Sequence, residues 1–271
     1  MTIKNISQAD TTLVNRVSMR FESINWRGLS AVIGFFLVWQ LAVVLELSGF
    51  EEIPGPWTVI NTFCADFLFN EKYWISWFIS FKRVLVGFLL AQILGIPLGL
   101  FLGASPTFYR LVFPVFEMLR PIPPLAWVPL SILFWPTNEG SIIFITFIGA
   151  FFIITINIFD GVRSIKQEHL WLARSLGAGN IRIFHKIMLP AVIPAIAVGM
   201  TLGIAVTWNV VIAAEMIASD SGLGRLTWEG YVSSTPPVVI VGMISIGFAG
   251  YISTIIVDIF ERRMMPWKYT K

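Results

Sequence analysis

Hydrophobic residues in this chain gather into six long runs separated by polar or turn-rich intervals: Leu29–Leu47, Phe81–Gly103, Leu111–Trp135, Ser141–Val162, Ala191–Ile217 and Val238–Phe260. A helix needs about 20 predominantly apolar residues to cross the hydrocarbon of a bilayer, so each run predicts one crossing. Between the first two, residues 48–58 contain Pro54 and Pro56, which cannot continue a helix. Residues 59–80 are amphipathic, and Trp74, Trp77, Phe78 and Phe81 suit a membrane–water interface. Gly95, Gly99 and Gly103 recur every fourth residue, as do Gly199 and Gly203, giving flat faces that let a neighbouring helix approach. The third run is irregular. Pro114, Pro121, Pro123, Pro124 and Pro129 each remove a backbone donor and clash with the preceding turn, so no single straight helix is predicted there. Broken backbone at membrane depth survives only where protein or a watery cavity satisfies it.

One interval differs from the rest. Residues 165–190 are amphipathic and basic, with Lys166, Arg174, Arg182, His185 and Lys186 among Leu170, Leu172, Leu176, Ile183 and Ile187. The apolar spacing of three to four predicts two short helices, joined by a turn at Gly177 and Gly179 and closed by Pro190. Such a hairpin on the water side of a membrane is a docking surface.

Composition places the chain in the bilayer. It is 56% hydrophobic and 13% charged, against about a quarter charged in soluble domains. The single cysteine, Cys64, excludes an internal disulfide. Both histidines, His169 and His185, lie in the basic hairpin, so no metal centre is expected. No GxxxxGK[ST] segment is present to cradle ATP phosphates. Six crossings put both ends on one side. With the hairpin and ends inside, 14 of the 19 Lys and Arg fall on the inner side, so the positive-inside rule makes them cytoplasmic. The predicted organisation is a cytoplasmic N-terminal tail (1–28), a six-span domain (29–263) containing the hairpin (163–190), and a cytoplasmic tail (264–271). No cleavable leader is expected in residues 1–28, and Val14, Val17, Phe21 and Ile24 are spaced for a surface-lying helix or belong to a disordered tail.

Charges inside the runs are functional candidates. Glu117 and Arg120 lie three apart beside the proline-rich break, where an ion pair fixing helix packing is the competing reading. Trp208, Asn209 and Glu215 lie in or near the end of the fifth run, with Glu215 either on a pathway or bonded to loop backbone.

The spacing Ala173-x3-Gly177-x9-Ile187-x-Leu189-Pro190 resembles the EAA loop of ABC-importer permeases. Trp171 and Leu172 stand where the family consensus has Glu and Ala, and Ala173 matches. The segments RPIPPLAWVPL (120–130), AAEMIASDSGLG (213–224) and ERRMMPWK (261–268) are similar to the taurine, alkanesulfonate, nitrate and bicarbonate branch, and the resemblance covers residues 50–268. It implies an all-α membrane protein with six transmembrane helices, a type I ABC importer permease fold with a cytoplasmic EAA coupling loop. Trp171, Leu172, Ala173, Arg174, Ser175, Leu176, Gly177, Ala178, Ile187, Leu189 and Pro190 would form the surface that meets an ATPase. Glu117, Arg120, Trp208, Asn209 and Glu215 would flank the translocation path. The implied assembly is a homodimer in the bacterial cytoplasmic (inner) membrane, with two cytoplasmic ATPase subunits and an extracytoplasmic binding protein, and no nucleic acid. ATP and Mg would bind the ATPase, and this chain would bind no cofactor and be no enzyme. The implied cargo is a small oxyanion, sulfonate or taurine ahead of nitrate, bicarbonate or cyanate. A stand-alone channel or secondary transporter would need no coupling loop and would usually carry internal repeats. A membrane enzyme would need a positioned nucleophile and base, and no HxxxxD or GxSxG pattern lies near either histidine.

Overall fold

A computed structural model describes residues 26–269, and every regular element among them is helical. The predicted surface helix around residues 14–24 lies outside the described residues. The chain divides at residue 61 into two units. In the first, α1 (Trp26–Val44) carries an aromatic cluster in which Phe36 stacks on Trp39 at 6.1 Å. A turn with Gly49 at φ +93° follows. α2 (Pro56–Thr62) then starts at the second of the two predicted helix-breaking prolines, because proline is tolerated in a first turn.

The second unit holds the long helices. α3 (Glu71–Ala104), α6 (Asn138–Arg163), the helix Asn180–Ala218 and α11 (Pro236–Met264) are each long and apolar enough to cross a membrane. α4 (Pro106–Leu119) and α5 (Val128–Phe134), the latter entered through a 3₁₀ turn at Pro124–Trp127, are together apolar enough to cross a membrane and are bent by 87° at their break. The predicted break is therefore present, and it falls on the cluster Pro121, Pro123 and Pro124. α7 (Gln167–Ser175) and α8 (Asn180–Ile183) lie in the predicted hairpin, and α9 (Leu189–Ala218) leads from it. α10 (Leu223–Val232) connects α9 to α11, and α12 (Pro266–Tyr269) ends the described chain. α1, at 19 residues, spans about 28 Å at 1.5 Å per residue, close to hydrocarbon thickness.

Two predicted boundaries move. The second crossing starts at Glu71 rather than Phe81. Asn70 accepts a hydrogen bond from the Lys72 N–H at 3.0 Å and so caps the helix, and no Gly or Pro interrupts residues 71–80. Trp74 and Trp77 therefore ride on the crossing helix itself, whose 34 residues reach about 51 Å, beyond the hydrocarbon. The second correction concerns Pro190, which does not close the hairpin. A π-helical turn at Phe184–Met188 joins α8 to α9, with the Leu189 N–H bonded to the Phe184 carbonyl. The wider turn abandons the i→i−4 ladder that proline would have disrupted, so the helix runs unbroken from Asn180 to Ala218.

The glycine ladder packs α3 on α6. A β-carbon at Gly87 would lie 2.7 Å from Thr146 Cγ2, and one at Gly99 2.7 Å from the Thr155 carbonyl. Gly95 faces Thr155 and Gly103 faces Val162, so numbers rise together and the two helices run parallel. α9 runs the other way, with Gly161 against Ala195, Gly199 against Ile154 and Gly149 against Val210. α11 returns antiparallel to α9: the Trp208 indole N–H donates to Ser253 Oγ at 2.9 Å, and Thr201 Oγ1 lies 3.4 Å from Glu261. The C-terminal end of α11 and the hairpin thus share one end of the bundle, the loop end. Lipid offers apolar side chains as good a solvent as protein does, so close backbone approach and dispersion hold these helices together. The fully buried Ile142, Ile145, Ile154, Ile158, Val192 and Val211 fill the α6–α9 core.

Candidate functional site

The hairpin is built by a glycine. α7 ends with the Gly177 N–H bonded to the Arg174 carbonyl at 2.9 Å and the Ala178 N–H bonded to the Ala173 carbonyl at 3.0 Å. That is the Schellman pattern, which needs a left-handed residue at its corner. Gly177, at φ +77°, supplies it. The Ser175 hydroxyl donates back to the Trp171 carbonyl at 3.0 Å. Ala173 and Ile183 are buried and anchor the hairpin, and Ala178, Ile187 and Leu189 are half-buried. Arg174, Ser175, Gly177 and Pro190 are exposed. On the open face Trp171 and Leu172 are each 61% exposed, Leu176 79% and Ile181 78%. Basic side chains at Arg174, Arg182, His185 and Lys186 are also exposed. Four large apolar side chains standing outside the bundle, rimmed by charge, mark an interaction surface.

At the broken crossing, Arg120 Nη2 lies 3.4 Å from Glu117 Oε1, with both side chains partly exposed. Phe116 meets Phe152 at 5.3 Å between ring centres, and Phe152 lies at the middle of α6. The pair therefore lies level with the middle of α6. Its second oxygen, Glu117 Oε2, is buried without a hydrogen-bond partner.

The remaining candidates go elsewhere. Trp208 is buried between α9 and α11, held by Ser253, whereas its neighbour Asn209 is exposed. Glu215 is fully buried and bonds to Arg83, not to the Glu117–Arg120 pair. Arg83 Nη1 donates to Glu215 Oε1 at 2.9 Å and to the Ser221 carbonyl at 2.8 Å, and its Nε donates to Glu139 Oε2 at 3.0 Å. The Gly224 N–H donates to Glu215 Oε2 at 2.9 Å. The Ser80 hydroxyl lies 2.8 Å from Glu215 Oε1 and accepts the Leu223 N–H at 2.8 Å. This cluster ties α3, the start of α6, the end of α9 and the start of α10 together at the end opposite the hairpin. Charge counting along the sequence places Arg83 on the outer side, at the very start of the predicted second run. The structure buries it to 2% on α3, because that helix begins 12 residues earlier. The signal that could have found it is elementary: an arginine within a crossing requires a carboxylate partner, and Glu215 and Glu139 both lie at crossing ends.

A bundle of long apolar helices with a proline-broken pair, α4 and α5, and a glycine-cornered hairpin between α6 and α9 fits the permease of a type I ABC importer. The fold agrees with that of the MetNI methionine ABC transporter in inward-facing conformations, at TM-score 0.60 and 19% identity over 69% of this chain and 93% of that one. The chain belongs to the binding-protein-dependent transport system inner membrane component family, whose pattern spans residues 95–266. It is 43% identical over 236 residues to a Methanocaldococcus jannaschii protein named as an ABC transporter permease, covering 86% of this chain and 88% of that one. It is 32% identical over 247 residues to the nitrate import permease of Leptolyngbya laminosa (89% and 88% covered). It is 28% identical over 234 residues to the taurine transport system permease of Escherichia coli (85% of each). The chain is thus a multi-pass inner-membrane permease subunit of an ABC importer, from a family that works with ATPase and binding-protein partners.

Proposed function

We propose that two copies of this chain form the membrane path of an ATP-driven importer for a small oxyanion. Two cytoplasmic ATPase subunits would seat on the two hairpins, and an extracytoplasmic binding protein would deliver the cargo. The observation that carries this assignment is the exposed ridge of Trp171, Leu172, Leu176 and Ile181 on a hairpin cornered by Gly177. ATP and Mg²⁺ bind the ATPase, and this chain hydrolyses nothing. ATP-driven closure of the ATPases moves the hairpin, and the hairpin shifts the third to fifth crossings between outward and inward openings.

Six crossings are proposed, counting α1 as the first and the bent α4–α5 pair as the third. The hairpin and the end of α11 share one end of the bundle, and the excess of Lys and Arg argues that this end and both termini are cytoplasmic. Glu117 and Arg120, level with the middle of α6 and partly exposed, are the best-placed of the candidates to face a path. Arg120 supplies a positive field for an anion. The identities to the nitrate and taurine permeases, 32% and 28%, give the taurine permease no lead, so the small-oxyanion class is proposed rather than one member.

A cysteine placed at Ser175 or Gly179 tests the assignment. Cross-linking to a co-purified ATPase that changes with nucleotide is the expected result; no cross-link in any nucleotide state refutes it. Growth of a deletion strain on single nitrogen or sulfur sources identifies the cargo.

A further inference from the structure

Between α4 and α6 runs a column of rings that begins beside the hairpin and ends at the break between α4 and α5. Arg163, the last residue of α6, places its guanidinium carbon 5.4 Å from the ring centres of both Tyr109 and Phe159. Those two rings are parallel within 1° at 5.6 Å. Phe113 stacks on both, at 4.6 Å and 5.1 Å. Phe116 follows at 6.1 Å from Phe113 and reaches Phe152 at 5.3 Å. Glu117 and Arg120 come next in the chain, and the 87° bend follows directly. The backbones of α4 and α6 approach each other only sparsely, so these rings fill the space between them.

Offset and tilted ring faces at these separations attract one another, and a guanidinium over two ring faces is held by their quadrupoles. Residues 164–166 alone separate Arg163 from α7. We propose that this column is the strut that carries displacement of the hairpin to the hinge in the third crossing, with Arg163 as the positioning residue that locks its lower end. The strut makes α4 and the lower half of α6 move as one body, so that motion appears at residues 120–123. This inference rests on the coupling role proposed for the hairpin.

Physical continuity alone does not demonstrate coupling, so the test reads motion. Spin labels at Leu111 on α4 and Leu133 on α5, 75% and 83% exposed, report distance across the bend. The intact complex of this chain with its ATPase is used, with ATP and vanadate as the probe. In the unmodified chain the distance shifts when nucleotide is added. In the double variant Tyr109→Leu, Phe113→Leu, and in Arg163→Gln, the shift is lost while ATP turnover and the nucleotide-sensitive cross-link at Ser175 persist. Arg163→Lys, which keeps a cation over the rings, retains the shift.

A shift that persists without the rings overturns the strut. So does loss of ATP turnover together with the shift, which assigns the rings to folding, and so does equal behaviour of the Lys and Gln variants. No shift in the unmodified chain, with the Ser175 cross-link still responding, removes the strut and leaves the coupling loop standing. If the cross-link fails to respond as well, both fall.

Discussion

Arg83 and Glu215, 132 positions apart in the chain, meet as an ion pair with Nη1 2.9 Å from Oε1 and side chains 3% and 0% exposed. The guanidinium also reaches Glu139 and the Ser221 carbonyl, and the carboxylate also accepts from Gly224. Hydrogen bonds to both partners, and the half-exposed Glu139 beside them, explain how the Arg83–Glu215 pair is accommodated in the interior. Removing one partner of such a pair costs about 3–5 kcal/mol, because the other is left buried and uncompensated.

Arg83→Ala is therefore expected to destabilise the chain by about 3–5 kcal/mol. Arg83→Lys is expected to rescue little of it, since a compact ammonium cannot reproduce the planar fork that reaches two carboxylates. Thermal unfolding in detergent measures both. Equal stability of the Ala variant and the unmodified chain would contradict the cluster.

Gly222 stands at φ +112°, and a β-carbon there would press on the Glu215 carboxylate. Gly49 has a similarly positive φ, +93°, with open space around it. Gly49→Ala is expected to cost about 1–2 kcal/mol, the backbone penalty alone. Gly222→Ala is expected to cost more, by disturbing the ion pair as well. The difference between the two melting shifts contains the carboxylate contact together with the larger backbone penalty at Gly222, whose φ of 112° and ψ of 170° suit glycine alone.

Trp171→Asp and Leu176→Asp alter side chains that are 61% and 79% exposed. Surface changes of this kind usually move stability by less than about 0.5 kcal/mol. Co-purification of the ATPase is expected to fail while the melting temperature stays unchanged. Retained co-purification would move the docking surface elsewhere on the chain.

Arg120→Ala breaks a partly exposed pair, so stability is expected to change by no more than about 1 kcal/mol. Uptake into proteoliposomes is expected to fall, with the cargo chosen as the oxyanion that supports growth and ATP turnover retained. Loss of stability in step with uptake would make the pair a packing device.

The crossings and the hairpin were legible because bilayer thickness imposes a length on apolar runs, and because Gly177 marks a left-handed corner. Depth was not legible. Arg83 looks like a cation at the edge of the second run until α3 is seen to start at Glu71, and its partners lie far away in the chain. Glu215 shows the same limit, since its surroundings come from α3 and α10. Proline rules assume an α-helical ladder, so the π turn before Pro190 escaped them. The comparison of Glu117–Arg120 with Glu215 is instructive: the i,i+3 spacing announced the first pair, and nothing local could announce the second.

That π turn has a mechanical result. It fuses the second arm of the hairpin to the fifth crossing as one rod of 39 residues, about 58 Å long, roughly twice the hydrocarbon thickness. One end, near Ile181, is exposed; the other, near Glu215, is pinned by Arg83. A sideways push at the exposed tip would act on a tiller whose far tip is moored, so the hairpin end of α9 would swing widely while Asn209, close to the mooring at Glu215, would swing little.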